Sequence, residues 1–242
     1  MSLTATSPSH KVRAYARAAG VLGLLSLVAG GFGEAYVPGV LVSQDAAAAG
    51  QSIVASESLF RLGFAAYLVE AVCDVGLTYL FYSIFWPVRK SAALLSVFFR
   101  LIATAGFAMA QAFYFAALPV VRGAHIVPAD QSRELLSYTL TLSSYSQSLF
   151  MMFYGIGSVL LGYLIYHSGF LPKIIGIVLA VSGLGFIANT FAWALAPSLA
   201  TPLLLVPAGI AGLILTLWLL IVGVDVAKWH ERATLNSEVV VR

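Results

Sequence analysis

The chain has 242 residues, 60% hydrophobic and only 10% charged, with a formal net charge of +3 and a mean hydropathy of +0.94. Soluble domains carry about 25% charged residues, so this chain has too little polar surface to coat a water-soluble globule, and most of it must face lipid. One cysteine, Cys73, excludes a disulfide framework; the four histidines match no zinc signature, and the basic residues are too dispersed for nucleic-acid binding.

The pattern predicts an all-α integral membrane bundle of six transmembrane helices. Roughly 20 apolar residues cross a hydrocarbon core about 30 Å thick. Six such runs lie near 14–34, 59–86, 92–118, 135–166, 174–196 and 203–225. The breaks fall at Pro38-Gly39 with the stretch Gln44–Ser58, at Pro87 with Arg89 and Lys90, from Pro119 to Arg133, at Ser168–Lys173, and from Ala196 to Pro202. Unpaired amides are too costly in lipid for open strands, and the runs are too long for barrel strands. One six-helix domain, 14–225, is thus expected between a short amino-terminal segment, 1–13, and a loosely ordered tail, 226–242.

Lys11, Arg13, Arg17, Arg89, Lys90, Lys173, Lys228, Arg232 and Arg242 fall on one side of such a bundle, and only Arg122 and Arg133 in loops on the other. Both termini are therefore expected to be cytoplasmic. The basic stretch His10–Arg17 before Ala18–Phe32 has the outline of a signal peptide. Cleavage is not expected, since it would leave five spans and set the remaining positive loops against Lys228 and Arg232.

Glu34 ends the first span and Arg61 begins the second, which predicts a salt bridge closing the first hairpin at the outer surface; a substrate gate is the other reading. Between them, Ala46–Ala49 reads as an outside loop or a surface helix. Ionisable groups at membrane depth cost about 2.5–3.5 kcal/mol each, and the second span holds two, Glu70 and Asp74. Four residues apart, they share one helical face with Tyr67 and Thr78. The third span answers with Arg100, Thr104, Phe107, Gln111 and Tyr114. The short turn Pro87–Ser91 makes the two spans antiparallel neighbours. Asp74 lies 12 residues before position 86 and Arg100 lies 9 after position 91, so their depths differ by only about 4–5 Å. An Asp74–Arg100 ion pair is expected, which leaves Glu70 as the titrating acid. Glu70 is then either a proton-carrying or cation-binding carboxylate in a polar cavity or a hydrogen-bonded carboxyl joining helices.

Polar residues crowd the fourth span from Ser137 to Ser148, as suits a helix lining a cavity or one extending past the bilayer. Asn189 on the fifth, with Ser182 and Trp193 beside it, completes a cavity wall or donates between helices. Gly106 with Ala110, Gly176 with Ala180, and Ala208 with Gly212 allow close helix packing. Tyr79, Tyr82, Trp86, Trp193 and Trp229 read as interfacial anchors. His167 reads as a helix-end cap rather than a haem ligand. Cys73 reads as packing, and Gly183-Leu184-Gly185 is no nucleotide fingerprint. No metal site, cofactor or catalytic constellation is expected.

Several blocks carry a family resemblance: Gly31-Phe32-Gly33-Glu34-Ala35-Tyr36, Ser58-Leu59-Phe60-Arg61-Leu62-Gly63-Phe64, Cys73-Asp74-Val75, Phe98-Phe99-Arg100-Leu101, and Leu161 through Pro172. From about Ala18 to Val222 the chain resembles the bacterial and archaeal membrane family designated domain of unknown function 4386. The resemblance implies a six-helix protein in the plasma membrane of a prokaryote, with no assigned reaction, and its blocks include Glu34, Arg61, Asp74 and Arg100. Relatives resemble one another in carrying histidines in the fourth helix, where this chain has Ser143 and Gly157, so a metal or haem role would not carry over. The expected function is that of a non-enzymatic transporter or sensor for an ion or small molecule, with Tyr67, Glu70, Asp74, Arg100, Thr104, Gln111 and Asn189 as site candidates. The alternative is a structural or accessory protein whose charges only hold helices together; an enzyme acting on lipid or isoprenoid is a third. The lipid bilayer is the expected partner, with a homo-oligomer or a second membrane protein left open.

Overall fold

The computed structural model describes residues 8–43, 45–123, 131–201, 203 and 206–239. Parts of the expected terminal segments (1–7 and 240–242), of the outer loop (124–130), of the breaks (44 and 202) and of the sixth expected span (204–205) lie outside the described residues. The described residues form helices and turns without a strand. Five helical stretches are long and apolar enough to cross a membrane, Lys11–Leu41, Glu57–Phe85, Lys90–Val121, Ser132–Ser168 and Lys173–Leu195. A bent pair, Pro207–Ile221 with Val226–Leu235, makes six if taken as one span.

In chain order the helices are α1 (Pro8–Gly30), α2 (Val37–Leu41), α3 (Ala46–Ala55), α4 (Glu57–Phe85), α5 (Lys90–Phe115), α6 (Ala117–Val121), α7 (Ser132–Ser168), α8 (Lys173–Leu195), α9 (Val206–Ile221) and α10 (Val226–Val239). Pro38 does not end the first span. A π-helical turn, Gly31–Tyr36, joins α1 to α2, and the Val37 N–H reaches back to the Phe32 carbonyl. Pro38 then falls in the first turn of α2, where a missing N–H costs little. The alanine-rich stretch is a helix, α3, capped by the Asp45 carboxylate, which accepts from Ala47 N–H at 3.1 Å.

Residues 203–225 are not one helix. Gly223 takes a left-handed φ of 79° that favours glycine, and its N–H closes on the Trp218 carbonyl at 2.8 Å, ending α9 as a helix C-cap does. Asp225 then caps α10, its Oδ1 accepting from Ala227 and Lys228 N–H at 3.1 and 3.3 Å, and α10 leaves at 100° to α9. Nor is the tail loose through Leu235. Trp229 is buried and donates its indole N–H to the Ile84 carbonyl at 2.7 Å, while Arg232 Nη2 donates to the His167 carbonyl at 3.2 Å.

The chain packs as two compact units. The first, 1–24, 74–103 and 151–242, has a core that includes Phe81, Phe85, Leu161, Ile165, Leu215 and Leu219. Its tightest crossing is α7 on α8. A Cβ on Gly155 would lie 2.7 Å from the Gly183 carbonyl, and one on Gly162 would lie 2.5 Å from the Gly176 carbonyl, so the two backbones touch in the manner of small-residue membrane crossings. Ala180, expected at such a contact, packs beside Gly162. The second unit, 25–73 and 104–150, has its core around Val37, Phe60, Tyr67, Phe107, Tyr114 and Leu136. Stacked rings hold α4 to α5 there, with Phe64 4.2 Å from Phe115 and Phe60 4.8 Å from Tyr114 between centroids.

Candidate functional site

In the second unit, α4 and the π turn bring together the acids of the first two expected spans. Gly33 packs against the α4 backbone, where a Cβ would stand 3.0 Å from the Gly63 carbonyl. That close approach places Gly30 beside Glu70. A Cβ on Gly30 would lie 2.6 Å from Glu70 Oε1 and 3.0 Å from Oε2, so the carboxyl occupies the notch left by the absent side chain. Glu34, on the π turn, and Glu70 both lie within electrostatic reach of the Tyr67 hydroxyl. Single π turns of this kind recur at functional sites.

From α5 come Gln111 and Tyr114, buried to 4% and 6% exposure, facing Tyr67 at 4%. The Gln111 side chain hydrogen-bonds Tyr67, and the Tyr67 ring sits edge-on to Phe107 and Tyr114 at 5.6 and 6.0 Å. Among the described residues, Gln111 Oε1 and the Tyr114 hydroxyl are buried without a hydrogen-bond partner. Such atoms cost about 1–3 kcal/mol each unless water or a ligand meets them. Thr104 is half-buried on α5 in the same unit.

At the start of α4, Arg61 meets an acid of its own helix. Arg61 Nε binds Glu57 Oε1 at 2.6 Å, four residues back on α4, and Arg122 Nη2 binds Glu57 Oε2 at 2.6 Å. Glu57 thus satisfies both arginines. The i, i+4 spacing of Glu57 and Arg61 was the available signal.

In the first unit Asp74 and Arg100 are both buried, at 9% and 5% exposure. Thr78 stands between them along the chain of contacts: its hydroxyl donates to the Asp74 carbonyl at 2.8 Å and accepts from Arg100 Nε at 3.3 Å. The guanidinium lies over the rings of Phe81 and Tyr154, 5.4 and 5.0 Å from their centroids, which holds a desolvated cation by its π faces. Gly157 makes room for it, since a Cβ there would meet Arg100 Cγ at 2.9 Å. Tyr154 lay hidden in a run of apolar and small residues without a periodic signal. Asn189 serves a local turn, its Oδ1 accepting from Thr201 N–H at 3.1 Å. No group of three His, Cys, Asp or Glu able to hold a metal occurs among the described residues.

No curated protein and no solved structure matches the chain. A family model described as a domain of unknown function matches residues 18–223, almost the whole apolar part of the sequence, and the chain therefore belongs to that family, DUF4386.

Proposed function

We propose that this protein is a transporter or sensor of the plasma membrane that binds a proton or small cation in the polar cluster of its second unit, with Glu70 as the titrating ligand. The observation that carries the reading is the pair of buried acceptors, Gln111 Oε1 and the Tyr114 hydroxyl, that lack a hydrogen-bond partner among the described residues in the cluster that holds two carboxylates. Glu34, Glu70, Gln111 and Tyr114 offer mainly acceptor oxygens, the inventory that suits a hard cation or a proton.

A direct Asp74–Arg100 ion pair is part of the same proposal, with a stabilising role. Arg100 stacked between Phe81 and Tyr154 favours the second reading for that part of the chain: charges that hold helices together. The α9 helix, 16 residues long, rises about 24 Å. In our reading α9 belongs to the sixth crossing, and the lysine and arginine bias of the sequence assigns both termini to the cytoplasm. We read α10 as a helix lying along the membrane surface.

Native mass spectrometry of the detergent-released protein tests the binding reading against Glu70→Gln and Asp74→Asn. A stoichiometric small adduct lost in the Glu70→Gln variant supports a site; bare protein throughout supports the structural reading. The double change Asp74→Asn with Arg100→Gln recovers stability relative to Asp74→Asn alone if the pair is structural.

A further inference from the structure

Away from the Glu70 cluster, a groove of about 350 Å³ in the first unit has among its lining residues Lys11 and Tyr15 from α1, Tyr79 and Tyr82 from α4, Trp86 just after it, and Trp229 from α10. Its walls are fixed by their own contacts. Tyr15 and Tyr79 meet edge to face at 6.3 Å and share a side-chain hydrogen bond. Trp86 and Trp229 meet edge to face at 6.1 Å, and the Trp229 indole N–H is satisfied by Ile84. The rim carries one charge. Lys11 is exposed, has no carboxylate within ion-pair distance among the described residues, and no acid lines the groove.

We infer that this groove binds the headgroup of an anionic phospholipid, with the Lys11 ammonium on the phosphodiester and the aromatic rings against the glycerol and first methylenes. Tyrosine and tryptophan side chains settle at headgroup depth in a bilayer, and a lysine beside the surface attracts anionic lipid. A free phosphate would gain only the single ammonium, whereas a lipid also gains the aromatic walls. The shape also explains why α10 folds back: Trp229 closes one side of the groove, which a loose tail would leave open. This inference stands independently of the cation site.

The test uses the full chain with Trp193→Phe and Trp218→Phe, so that Trp86 and Trp229 report alone. It is reconstituted in phosphatidylcholine vesicles containing bromine-labelled phosphatidylglycerol or bromine-labelled phosphatidylcholine at equal mole fraction. The expected result is quenching by the anionic lipid with an apparent affinity about five-fold higher than by the zwitterionic one. Lys11→Gln removes that preference, Lys11→Arg keeps it, and glycerol phosphate in the buffer leaves it unchanged. Equal quenching by both lipids in the parent protein overturns the proposal, as does a preference that survives Lys11→Gln or yields to glycerol phosphate. Unchanged quenching of Lys11→Gln by the zwitterionic lipid shows that the variant keeps the groove intact.

Discussion

The Glu70 carboxyl sits where the side chain of residue 30 would begin, 2.6 Å from the position of a Cβ on Gly30. Gly30→Ala must therefore displace the carboxyl. The displaced group is the end of a flexible side chain, and alanine gains up to about 1 kcal/mol over glycine within a helix, so stability should hardly fall. The expected outcome is a variant that folds with a near-normal melting temperature and binds its cation weakly. Unfolding of Gly30→Ala together with loss of binding would instead make the contact a packing feature.

Tyr114→Phe separates a site from a packing defect. The Tyr114 hydroxyl is buried without a partner among the described residues, and its removal should raise the stability of the ligand-free protein by about 1 kcal/mol. Ligand-dependent stabilisation should fall in the same variant. Calorimetry with and without added cation reads both effects, and a variant less stable in both conditions contradicts the assignment.

The α7–α8 crossing should tolerate no side chain. In Gly162→Leu the new Cβ would stand 2.5 Å from the Gly176 carbonyl and 2.8 Å from the Ala180 amide, both backbone atoms. The helices must part, at a cost of about 1–3 kcal/mol or more. Gly209→Leu, where a Cβ meets nothing within 4 Å, is the matched control. Thermal unfolding of the two in one detergent should separate them clearly.

The apolar helical character was legible because lipid imposes a simple rule on composition: five of the apolar runs coincide with five helices long and apolar enough to cross a membrane, the first running on to Leu41. Where the reading failed, a local device competed with that rule. Pro38 punctuates a soluble helix, but the π turn before it absorbs the register change. The α9–α10 break rests on Gly223 and Asp225, two ordinary-looking residues whose backbone geometry decides the matter. The helical periodicity puts Tyr67 with Glu70 on one face of α4 and Gln111 with Tyr114 on one face of α5, and those four residues lie in one unit. Periodicity says nothing about which foreign helix meets that face, so Gly30 and Tyr154 carried no signal, and Gly157 was noted only for the histidine of its relatives.

The α10 cap gives a pH prediction outside the spans. Backbone hydrogen bonding from Lys228, the largest effect, together with the Lys228 charge and the Ala227 amide, holds the Asp225 carboxyl below its ordinary value of 3.8, against the opposing effect of desolvation. A depressed acid contributes stability in full above its unfolded pKa and loses it as pH falls through the lower folded value. Helix α10 should thus stay docked at neutral pH and loosen only below about pH 4. Trp229 fluorescence, with the other three tryptophans replaced by phenylalanine, should follow that loss. Asp225→Asn, which keeps a capping oxygen but cannot titrate, should flatten it, and an unchanged profile in that variant would assign the transition to another group.

The central claim is that Glu70 holds a cation or proton, and its most direct measurement is the melting temperature of the detergent-solubilised protein in sodium, potassium and choline chloride at several pH values, beside Glu70→Gln. A site that binds only the folded state adds about 2.7 kcal/mol at a hundred-fold excess of ligand over Kd. The account predicts a melting temperature that depends on small cations or on pH in the parent protein and is flat in a well-folded Glu70→Gln variant. A parent protein indifferent to both, or a dependence that persists in Glu70→Gln, would contradict it.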